Sequence, residues 1–150
     1  MESIIDETLD DSEIATAAQN HEASKADGGE AELTARFQYA CALIRSKHIQ
    51  DINHGVSILE GLYYNGNKSA RRDYLFLIAM AQTRLKKYNL ALDCVEYFLK
   101  FEPENRQAKQ LRSHIKDKLT KDGIVGMAIT GGAALVLGGL IGLGLSLARK

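Results

Sequence analysis

The chain has no tryptophan, one proline and two cysteines in its 150 residues. A single proline excludes a proline-rich linker or recognition array. Two lone thiols, Cys41 and Cys94, exclude a disulfide scaffold. The opening MESIIDETLDD is acidic where a secretory signal carries bases, so no such signal is expected. Both thiols are then expected to be reduced and packed, in a cytosolic setting. The motifs that carry chemistry are missing as well. There is no phosphate loop, no G-x-S-x-G and no HExxH. His48 and His54 stand six apart, the wrong spacing for one helix face, while His21 and His114 stand alone. No catalytic residue, cofactor or metal site is expected, and no nucleic-acid partner. The length allows one domain of ordinary size.

A net charge of zero hides a division. Residues 1–32 hold ten acids and one base, a net of −9, and residues 33–150 hold 18 bases and nine acids, a net of +9. The chain therefore has an acidic arm and a basic body. Such an arm is either solvated or folded back on the body.

Residues 124–148 contain no charge, over 25 positions. A helix of that length reaches ~37 Å, against ~30 Å for a bilayer core. A soluble helix this long without a polar face would be unusual. A transmembrane helix is expected, preceded by Lys116, Lys118 and Lys121 and followed by Arg149 and Lys150. With so little chain after it, the segment reads as a tail anchor inserted after synthesis, leaving residues 1–123 in the cytosol. Small residues recur at every fourth position: Gly126, Thr130, Ala134, Gly138, Gly142 and Ser146. That stripe has two readings. It could let a second span approach closely and form a homo-oligomer. It could instead hold the span at the moderate hydrophobicity, between basic flanks, of anchors bound for the mitochondrial outer membrane.

The body says the same thing twice. FQYACALIRSK at 37–47 returns as FLIAMAQTRLK at 76–86, with five of the eleven positions identical. Apolar residues at Phe37, Ala40, Cys41 and Ile44 have helical spacing. A partner helix fits 56–64, with Ile58, Leu59 and Leu62 inward. The second copy gives helices over 74–86 and 90–101. GVSILEGLY at 55–63 matches ALDCVEYFL at 91–99 at an offset of 36 rather than 39. The first hairpin is therefore expected to carry a longer loop around 48–54. NGN at 65–67 marks the turn between copies, and Pro103 closes the second.

A repeated helical hairpin of this length resembles the tetratricopeptide motif. Leu75, Ile78 and Ala79 take its bulky residue and Leu-Gly places, while Tyr88, Ala91, Val95 and Pro103 fill later ones. Gln82 departs from the motif, and Gly55 stands where Ala91 stands in the second copy. Ala40, Gly55, Ala79, Tyr88, Ala91 and Pro103 are thus the expected repeat-packing residues. Two repeats cannot bury their own edges. One cap is expected over 105–122, with Ala108, Leu111, Ile115 and Leu119 inward, and a weaker one over 13–26 around Ile14. The fold expected is all-α: two tetratricopeptide-like hairpins with flanking capping helices, plus a C-terminal transmembrane helix. The division is 1–32 for the arm and first cap, 33–123 for the bundle, 124–148 for the anchor and 149–150 for a basic tail.

FQYACALIRSK, then RRDYLFLIAMAQTRLKKYNLALDCVEYFLKFEPENRQAK, then KDGIVGMAITGGAAL together resemble the mitochondrial fission 1 protein family, from Phe37 to the C-terminus. The resemblance implies a cytosol-facing adaptor on the mitochondrial outer membrane, and on peroxisomes, that promotes organelle fission. The partners it implies are a dynamin-related GTPase and fission adaptor proteins. Residues 1–30 depart from the family pattern, whose first helix carries bulkier apolar residues.

Arg45 and Arg84 recur late in the first helix of each hairpin. In tetratricopeptide proteins that helix lines the concave face. A partner-binding groove is then expected from Phe37, Cys41, Ile44, Phe76, Met80 and Thr83, rimmed by Arg45 and Arg84. It would suit an amphipathic segment with acids at its edge. The bland reading makes the two phenylalanines core and leaves both arginines solvated. The acidic arm is expected to compete for the groove, with Ile4, Ile5 and Leu9 as plugs. Two other functions stay open at this point. One is a co-chaperone-type adaptor clamping a peptide carboxylate. The other is a lipid-binding, membrane-shaping protein using the basic helix over 106–121.

Overall fold

Helix boundaries in this chain are set by a few identifiable residues. The computed structural model describes residues 2–122; the expected transmembrane helix, its small-residue stripe and Arg149 and Lys150 lie outside the described residues. Among the described residues seven α-helices follow one another: α1 Glu2–Asp6, α2 Asp11–Ser24, α3 Gly29–Leu43, α4 Ile49–Asn65, α5 Arg71–Arg84, α6 Tyr88–Phe101 and α7 Arg106–Lys121. A 3-10 turn, Lys68–Ala70, leads into α5. No strand occurs among the described residues, and no described helix is long and apolar enough to cross a membrane.

Asp10 starts α2 through a capping box with Glu13, and Asn105 starts α7 by accepting a hydrogen bond from the Ala108 amide at 2.9 Å. Gly28 and Gly29 reverse the chain between α2 and α3 with φ of +62° and +60°, a backbone region that side chains disfavour. Short connections make successive helices antiparallel neighbours. α3–α4 and α5–α6 are the two hairpins, α2 packs on α3, and α7 packs on α6. The caps are therefore where the unburied edges of a two-repeat stack require them.

The expected α7 stripe is deeply buried, with Ala108, Leu111, Ile115 and Leu119 all at 2% exposure or less. α2 is the thin cap: Ile14 is its only buried large apolar residue, packed with Ala42 and Leu43. Ala40, Ala79, Ala91 and Tyr88 are buried as the repeat requires. Pro103 is exposed, and it ends the second hairpin without packing in the core. Gly55 permits a close approach of α4 to the end of α3. A Cβ there would sit 2.7 Å from Ile44 Cγ2 and 3.0 Å from the Ala40 carbonyl oxygen.

The long loop expected around 48–54 is instead the first turns of α4, which begins at Ile49 rather than at Val56. The two hairpin tips close by different chemistry. α5 ends with Lys86 at φ +59°, its amide bonded to the Thr83 carbonyl and that of Lys87 to the Gln82 carbonyl. This is a Schellman motif with lysine in the place glycine favours. α3 has no left-handed residue at its end. Ser46 serves instead: its hydroxyl accepts from the His48 amide at 3.0 Å and donates to Asp51 at 2.6 Å. The three extra residues of the first hairpin thus lengthen its tip and the first turn of α4.

Candidate docking groove

The first helices of the two hairpins, α3 and α5, form one wall each of a groove whose floor follows from helical spacing. On α5 the groove-facing residues are Leu77, Met80, Ala81 and Arg84, a run at i, i+3, i+4 and i+7. From the other hairpin come Cys41 on α3 and, in the turn just past its end, Ile44 and Arg45. A cavity of about 360 Å³ lies there, and Ile4, Ile5 and Glu7 of the arm line its other side. The acidic arm is thus folded back onto the basic body.

Its seat is specific. Ile5 is 2% exposed, buried against the hairpin core, whereas Ile4 is 57% exposed. Glu7 pairs with Arg45 at 2.7 Å, and the Leu9 amide donates to the Arg45 carbonyl at 2.9 Å. Further round the tip, Asp10 lies 4.0 Å from Lys47 and Asp11 lies 3.2 Å from His48. Burial lowers the Arg84 pKa, and the nearby Asp6 carboxylate works against that shift. Arg84 also donates to the Ile44 carbonyl, which ties the two hairpins together. Burial pushes the Cys41 thiol up to about 11. That thiol is a poor nucleophile beneath the arm.

Five of the expected groove residues therefore come together: Cys41, Ile44, Arg45, Met80 and Arg84. The other three do not. Phe37 lies farther along the groove, edge-on to Tyr74 at 5.7 Å. Phe76 turns toward α6 and meets Phe98 at 6.1 Å. Thr83 is buried and donates to the Ala79 carbonyl at 2.7 Å, so it offers nothing to a ligand. The expectation on α5 holds for Met80 and Arg84, but it takes Phe76 and Thr83 where the groove has Leu77 and Ala81. The spacing backwards from Arg84 would have found both. Of the expected plugs, Ile5 alone is seated. Leu9 packs with Ile14, Ala42 and Leu43 outside the groove.

Two histidines far apart in sequence, His21 and His54, share one aromatic partner. His21 stacks on Tyr39 at 5.5 Å, and His54 meets the same ring edge-on at 5.7 Å. They join α2, α3 and α4 away from the groove. Of the bases expected to precede the anchor, Lys116 and Lys121 are exposed along α7, and Lys118 is half-buried.

Two family models match, the Fis1 N-terminal tetratricopeptide repeat over residues 34–66 and the Fis1 C-terminal tetratricopeptide repeat over residues 72–124. The chain is 41% identical to the Mitochondrial fission 1 protein of Homo sapiens over 151 residues, covering all of this chain and 99% of that one. The chain belongs to the mitochondrial fission 1 protein family. The Bos taurus member is equally similar, at 41% identity over the same coverage. Among solved structures, yeast Fis1 in complex with an Mdv1 fragment superposes with a TM-score of 0.71 at 28% identity, covering 79% of this chain and 91% of that chain. The solution structure of yeast Fis1 superposes with a TM-score of 0.68 at 28% identity, covering 86% and 88%. Family membership accounts for the second match as well as the first. The paired hairpins that the sequence repeats are the family's two tetratricopeptide units.

Proposed function

We propose that this chain is a tail-anchored adaptor of the mitochondrial outer membrane, and of peroxisomes, that recruits fission machinery through the α3–α5 groove. The partner is a fission adaptor protein, as the yeast relative's complex with Mdv1 supports, or a dynamin-related GTPase. Residues 124–148 are the anchor, with Lys116, Lys118, Lys121, Arg149 and Lys150 directing it. The observation that carries the reading is the seat of Ile5 and Glu7. The groove already holds an acidic amphipathic segment, so it is built to hold one. The arm is then an internal competitor, present at an effective concentration of order millimolar.

Arg45 tests this better than Arg84, because Arg84 also holds the hairpins together through the Ile44 carbonyl. Cells lacking their own member of the family would receive the full chain or Arg45→Glu. The full chain should localise to mitochondria and restore fission. Arg45→Glu should localise equally but restore fission poorly. Full rescue by Arg45→Glu would remove the basic end of the groove from the partner site. A third variant, Arg149→Glu with Lys150→Glu, should divert the protein from mitochondria, and unchanged localisation would overturn the reading of the tail.

A further inference from the structure

The groove continues beyond the arm, and its charge reverses there. Past Cys41, α3 presents Phe37, Thr34 and Leu33 to a second cavity of about 200 Å³. Ala70, Asp73 and Tyr74 close its other side, and Leu33 is 37% exposed. Two acids, Glu30 and Asp73, line this half, and no base does. The half under the arm has the opposite pattern: apart from the arm's Glu7, its charged residues are Arg45 and Arg84. The two halves are successive turns of the same pair of helix faces, since Phe37 and Cys41 on α3, and Asp73 and Leu77 on α5, are each four residues apart.

The arm fills only the basic half. Glu7 and Leu9 sit on Arg45 at the hairpin tip, so the chain before them runs from the tip toward Leu77. Glu30 and Asp73 lie in the first turns of α3 and α5, where acids also suit the helix dipole. That local role leaves their carboxylates exposed to a ligand.

We propose that the ligand of the groove is one amphipathic helix whose two ends carry opposite charge, with acids over Arg45 and Arg84 and bases over Glu30 and Asp73. Its apolar stripe lies on Leu33, Phe37, Cys41, Leu77 and Met80. From Leu33 to its end at Leu43 α3 rises roughly 15 Å, and Arg45 lies in the turn beyond, so about 12 to 14 residues span the site. The inference rests on the groove being the docking site and adds to it the partner's polarity. It also assigns the open half the role of first contact. A ligand can engage Phe37 and Asp73 while the arm is still seated, then displace the arm from the basic half.

The test uses three synthetic 14-residue helical peptides with one shared Leu/Ile stripe, and the full-length chain in mild detergent. The first peptide carries three glutamates at one end and three lysines at the other. The second carries glutamates at both ends, and the third lysines at both. Fluorescence anisotropy at physiological salt should show the first binding roughly five-fold tighter than either of the others, from two exposed charge contacts at each end. In Glu30→Lys, Asp73→Lys, two exposed substitutions, the all-glutamate peptide should become the tightest. Equal binding of the three peptides overturns the polarity, as does an unchanged order in the double variant. No binding of any peptide, even after removal of residues 1–8, overturns the groove reading along with it.

Discussion

Replacing Ile5 by Ala should open the arm, and Cys41 is placed to report it. Ile5 is 2% exposed, and the substitution removes three buried carbons, about 2 kcal/mol of transfer free energy. Each 1.4 kcal/mol is ten-fold in an equilibrium, so the open population should rise by up to about 30-fold, or until the arm is fully open. Cys41 shares the cavity with Ile5, and its thiol is held near 11 by burial. Opening exposes it and lets its pKa fall, so both effects speed alkylation. The assay is the rate of maleimide labelling at fixed pH, read by mass on the peptide containing Cys41. Cys94, at 1% exposure, is the internal control and should stay unlabelled in the same experiment. Ile4→Ala is the matched control, because Ile4 is already exposed to solvent and should change the rate less than about two-fold. If Ile5→Ala leaves Cys41 labelling unchanged, or Ile4→Ala matches it, Ile5 does not hold the arm closed.

Gly55→Ala should destabilise the fold by about 1–3 kcal/mol in chemical denaturation, because a Cβ 2.7 Å from Ile44 Cγ2 and 3.0 Å from a backbone oxygen outweighs the gain in helix propensity. A more stable variant would mean that α3 and α4 can separate freely. Lys86→Gly should stabilise by up to about 1 kcal/mol by relieving a left-handed lysine at the end of α5, and a loss of stability would show that its side chain holds the turn. Asp93 has a buried Oδ2 without a hydrogen-bond partner, and burial, with Glu96 nearby, raises its pKa from 3.8 to about 6. The carboxyl is preferred protonated in the fold, so the fold loses stability as pH rises through the range between those two values. Asp93→Asn should therefore stabilise at pH 7 by about 1 kcal/mol, discounted for partial exposure, and change little at pH 4; equal effects at both would refute the assignment.

Much of the body was legible because period and burial agree. Ala108, Leu111, Ile115 and Leu119 read as one stripe, and each is buried. The repeat exposed the hairpins, since Ala40 and Ala79 recur where two helices must touch. The groove register was harder. Phe76 and Thr83 share the helical period with Met80, and only contact with α6 and with the Ala79 carbonyl shows which way they face. The start of α4 was hidden because the second copy offers no equivalent residues to its first turn. α1 was illegible as a helix, since five residues are too few to nucleate one unaided. Its tertiary seat creates it.

That dependence sets how firmly the arm can close. Each ordered residue of α1 costs about 1–2 kcal/mol of backbone freedom, and a helix this short stabilises itself little. Against that stand one buried Ile5, one backbone hydrogen bond to Arg45 and ion pairs that solvent screens. Arg45 and Glu7 are 38% and 63% exposed at the side chain, so their pair contributes about 0–1 kcal/mol. Gains and costs are of the same size, and the arm must sit near balance rather than locked. A ligand then needs only modest affinity to displace it, and it already has a foothold at Phe37 and Asp73. Raising salt weakens the arm and the ligand's charged ends alike. Lengthening the ligand's apolar stripe favours the ligand alone, because the arm buries a single isoleucine in the same groove.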